Sequence, residues 1–178
     1  GARVSLEEEA DYGFDQDPYN NLVPTRDWAN LDKADDGVRV PLVLPACRKT
    51  QFSYIVSVVR PVKELYVNVW FDWNRDGDWD DAFGCGSADS IDSDKPIARE
   101  WAVRNQLLAG LGHGIHRIKT PPFIPWHPWN ADEFNGPIWM RITLSEKPWP
   151  PITPSNAQGR GGAGPKEGYR IGETEDYF

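Results

Sequence analysis

The chain has 178 residues, with 27 Asp and Glu against 19 Lys and Arg, for a formal net charge of -8. Binding phosphate needs a basic face and none is visible, which argues against nucleic acid as a partner, and no stretch approaches the ~20 apolar residues of a membrane span. The length fits one domain with a proper core, and 16 Gly, 16 Pro and 9 Trp point to a turn-rich β architecture rather than a helical bundle.

Residues 1–33 have no sustained period and carry turn residues throughout, so they read as an extended arm leading into a domain over 34–178. The chain opens at Gly1 without an initiator Met, as a processed or excised segment would after loss of an export signal. Asp35, Asp36 and Gly37 form a turn, after which Val38, Val40, Leu42 and Leu44 alternate as the buried face of a strand that Pro41 confines to an edge. Gln51 to Val59 is the clearest strand, with Phe52, Tyr54, Val56 and Val58 on one face. Leu65 to Phe71 is the next, and the two together read as a hairpin with apolar residues inward and polar residues outward.

That hairpin delivers the acidic stretch Asp72 to Asp81, DWNRDGDWDD. Asp72, Asn74, Asp76, Asp78 and Asp80 supply an oxygen side chain at every second residue, and Gly77 stands where a calcium loop turns sharply. A hard divalent cation takes six to eight oxygens at short range, and side chains of one tight loop converge on it only if the turn residue tolerates an unusual φ. Phe83 occupies the place of the usual closing Glu, so the last acid must come from elsewhere in the fold. A solvated acidic turn is the plainer alternative. Calcium would also neutralise the acids gathered at Glu7 to Glu9, Asp72 to Asp81, Asp89 to Asp94 and Glu173 to Asp176.

Residues 82–96 are a Gly, Ser and Asp-rich insertion, and 98–109 fit a short helix or a strand equally well. Cys47 and Cys85, 38 residues apart, suit a single disulfide better than a metal site, with two buried thiols as the alternative. A bridge presumes an extracytoplasmic address. His113 to Ile124 reads as a strand, and Ile138 to Leu144 as another. His113, His116 and His127 carry no hydrolase spacing and are expected as polar loop residues. Trp126, Trp129, Phe134 and Trp149 cluster in proline-bearing loops, where they either stack on a sugar or protein partner or cap the open ends of the core. Trp73 and Trp79 are assigned to packing around the acidic loop. Short strands, irregular loops and no long helix define an all-β, antiparallel β-sandwich.

The terminal Gly172-Glu173-Thr174-Glu175-Asp176-Tyr177 resembles the signature of the GEVED domain family of secreted and surface bacterial proteins. ADDGV at 34–38, VWFDWNRDGDWDD at 69–81 and WMRITL at 139–144 occur in the order that family shows. The resemblance implies a β-sandwich in which the Asp loop and the terminal acids lie close together. It also nominates Glu173, Glu175 or Asp176, or else Glu100, to complete a calcium shell, although the insertion bearing Cys85 separates Glu100 from the loop. The expected function is a secreted, non-enzymatic calcium-binding structural or adhesion module of a cell-surface assembly, with a carbohydrate-binding module using Trp126 and Trp129 as the alternative.

Overall fold

The computed structural model describes residues 37–75, 79–85, 95–127, 138–149 and 171–177. Eight antiparallel strands and no helix are found among them: β1 (Ser53–Val58), β2 (Glu64–Phe71), β3 (Ala82–Gly84), β4 (Ile97–Arg99), β5 (Trp101–Ala109), β6 (Gly114–Lys119), β7 (Met140–Ser145) and β8 (Gly172–Tyr177). They form a four-stranded sheet in the order β5-β2-β7-β8, a two-stranded sheet β1-β6 and a small ribbon β3-β4. The ambiguous 98–109 segment is thereby extended chain, shared between β4 and β5.

Period-two alternation builds the main core. Phe52, Tyr54, Val56 and Val58 from the β1 side meet Leu65, Val67, Val69 and Phe71 of β2 and Ile142 of β7, all buried. Phe52 meets Phe71 and Phe123 edge to face at centroid separations of 6.4 and 6.1 Å. The layers are also joined by polar contacts: the Tyr54 hydroxyl donates to Gln106 Oε1 at 2.9 Å, and Gln106 Nε2 donates to the Lys119 carbonyl at 2.8 Å. Burial pushes the Tyr54 phenol pKa well up, which keeps it a neutral donor.

Three expectations are corrected. β1 and β2 are not a hairpin: β1 pairs with β6, and β2 pairs with β5 and β7. Their apolar faces look at each other across the core, and the Val62 amide in the connecting turn donates to the Leu111 carbonyl. Residues 38–44 make no strand beyond an isolated bridge between Val38 and Tyr54, and Val40 is 48% exposed. Pro41 has no N–H to extend a ladder there. β2 also does not turn its second face to solvent, because Asn68 and Trp70 are both fully buried. That face carries a second core of Trp70, Trp79, Trp101 and Trp149, with Trp139 packed against it.

Candidate functional site

The Asp loop leaves the end of β2 where both faces of the sheet are covered, and its two limbs are anchored on opposite faces. On the incoming limb Trp73 is fully buried in the main core, stacked on Phe71 at 4.4 Å, with its Nε1 donating to the Arg99 carbonyl at 3.1 Å. On the outgoing limb Trp79 is fully buried in the tryptophan core, beneath the Arg141 guanidinium at 5.7 Å. The two tryptophans assigned to packing around the loop therefore fix where its limbs begin and end.

Glu100 joins those limbs. Its side chain is fully buried; Oε1 accepts from the Trp73 amide and Oε2 from the Asp81 amide, each at 3.0 Å. Its backbone adds two more bonds, accepting from the Phe71 amide at 2.9 Å and donating to the Asp81 carbonyl at 3.0 Å. Asn74 Nδ2 donates to Asp81 Oδ2 at 2.8 Å, a side-chain bond across the loop mouth. Arg75 has φ +63°, a left-handed turn within the loop. Behind the loop β3 pairs with β4, and the Cys47–Cys85 disulfide ties the ribbon to the segment before β1.

Of the loop residues proposed as ligands, Asp72 is buried at 1% exposure, with its amide bonded to the Trp139 carbonyl, Asn74 is half-buried and Asp80 is exposed. Asp76 and Asp78 lie outside the described residues. Among the described residues no three His, Cys, Asp or Glu side chains converge on one point. The candidate donors are all oxygen, a set that suits a hard divalent cation rather than zinc.

The terminal signature comes to the same end of the sheet as the loop, since Tyr177 pairs with Met140, which pairs with Phe71. Its acids are held separately. Asp176 takes the Arg141 guanidinium in a fork at 2.8 and 2.6 Å. Glu175 accepts from the Tyr177 hydroxyl at 2.6 Å and from the Gly37 amide at 3.3 Å, and Tyr177 in turn accepts from the Val38 amide at 2.9 Å. A Cβ on Gly37 would lie 2.5 Å from Glu175 Oε2, so a larger residue there would push that carboxylate aside. Gly37 and Val38 thus meet Glu175 and Tyr177 of the terminal strand. Glu173 is placed by its backbone opposite Leu144, and its side chain lies outside the described set.

Among the loop aromatics, Trp149 is buried in the tryptophan core and Trp126 stacks on Phe83 at 4.2 Å, whereas Trp129 and Phe134 lie outside the described residues. His116 sits within β6 with Nε2 at 2.8 Å from the Gly112 carbonyl, and His127 Nε2 is 2.8 Å from the Leu44 carbonyl.

The fold and the site define an all-β domain of packed antiparallel sheets that carries an Asp-rich loop at a strand end and a terminal strand bearing paired acids. The GEVED domain family model matches residues 66–178, and the chain belongs to that family. Comparison with curated proteins and with solved structures gave no match. No helix among the described residues is long and apolar enough to cross a membrane, and the disulfide is consistent with an extracytoplasmic compartment.

Proposed function

We propose that this domain is a secreted, non-enzymatic calcium-binding module that serves as a structural or adhesion unit of a cell-surface assembly. The observation that carries the reading is the loop itself: oxygen side chains at every second position, between limbs that Trp73, Trp79 and Glu100 hold in place. Asp72, Asn74, Asp76, Asp78 and Asp80 would hold the ion. Glu175 and Asp176 are assigned instead to Tyr177, Gly37 and Arg141, where they secure the edge strand. Bound calcium supplies charge neutralisation and loop order, so its binding energy becomes stability. The partner is a protein docked on the ordered loops. The alternative, a sugar platform of Trp126 and Trp129, draws less support, because Trp126 already stacks on Phe83.

The test is thermal unfolding in calcium and after chelation. At a hundredfold excess over Kd the gain is about 3 kcal/mol, or a rise of about 8 °C in Tm. Asp76→Ala is expected to abolish that rise. An identical Tm with and without calcium would refute the reading.

A further inference from the structure

We infer that Glu100 is a positioning residue for the loop and not one of its ligands, an inference that rests on the calcium reading above. An acid outside the loop is the natural candidate to complete a shell whose usual closing position is Phe83. Its geometry assigns it another role. Both carboxylate oxygens already accept a backbone N–H, one from each limb, and the side chain is wholly buried.

The bonded atoms explain why a carboxylate is needed. Trp73 and Asp81 are eight positions apart, and holding them at fixed separation takes two acceptors on one rigid group. A carboxylate offers both, and its charge strengthens each bond. A carboxamide offers a single acceptor and turns an NH₂ toward the second amide, donor against donor. With the limbs fixed, less conformational entropy remains to be lost when the loop closes on an ion. Glu100 therefore sets affinity through the shape of the loop, as outer groups do around other metal sites.

Terbium, a luminescent stand-in for calcium excited through nearby tryptophan, separates the two roles. Emission titrations give affinity, and lifetimes in H2O and D2O count the waters left on the ion. The expected result for Glu100→Gln is an affinity about tenfold to a hundredfold lower with an unchanged water count. Asp72→Ala, which removes the oxygens of a proposed ligand, serves as the contrast and is expected to raise the count. Additional waters in Glu100→Gln, or unchanged affinity, would overturn the inference while leaving calcium binding intact. A wild-type protein that shows no sensitised emission and no calcium-dependent Tm overturns both. If circular dichroism shows that Glu100→Gln does not fold, Glu100→Asp, which keeps the charge and shortens the reach, is read by the same criteria.

Discussion

Asn68 carries more of the fold than its residue type advertises. It is fully buried in mid-β2, where its Oδ1 accepts from the Trp101 indole at 3.0 Å and the Asn105 amide at 2.8 Å, and its Nδ2 donates to Asn105 Oδ1 at 3.1 Å. Asn105, with φ +46° beside the irregular register of β2 and β5, in turn brackets Trp149 through both the amide and the carbonyl. One buried amide thus shapes a bulge and seats a tryptophan. Alternation alone puts Asn68 on a solvated face, because nothing local in the sequence says that Trp79 and Trp149 will return to cover it. Asn68→Ala is expected to cost about 3 kcal/mol in urea denaturation, since it strands the buried Trp101 indole N–H and the part-buried Asn105 amide. A loss below about 0.5 kcal/mol, the usual range of surface substitutions, would contradict this account.

At the scale of elements, strands were easier to read than their partners. The apolar alternation of 52–58 and 65–71 is plain in the sequence, and both are strands. A short connection between two strands, however, serves a hairpin or a crossing between facing sheets equally well. What separates them here is that β6 takes one edge of β1, while β5 and β7 take both edges of β2. Those are long-range pairings that the local pattern does not encode. The Cys47–Cys85 bridge was legible from count and spacing, and its position shows its use: it fastens the β3-β4 ribbon, which follows the Asp loop, to the strand-free segment before β1. Replacing both cysteines by alanine removes a closed loop of 38 residues. The expected loss is about 4 kcal/mol in denaturant midpoint measurements. Retention of full stability would mean that the bridge constrains nothing in the unfolded chain.

At the scale of the whole molecule, one sheet is covered on both faces at the end from which the Asp loop emerges. Phe71 and Trp73 lie in the main core and Trp70 and Trp79 in the tryptophan core, so the loop straddles the sheet rather than hanging from one side. The motif residues stood out in the sequence because their spacing is local. Glu100 was nominated only through resemblance, because its link to Trp73 and Asp81 forms when the chain folds. The terminal acids were legible as a signature, but their contacts with Gly37 and Arg141 depend on strand order. The central claim is that a rigidly mounted loop receives one calcium ion, and titration calorimetry of the whole chain with calcium tests it most directly. One saturable site per chain, lost in Asp76→Ala, is the expected result; no binding heat at millimolar calcium across several temperatures would contradict it.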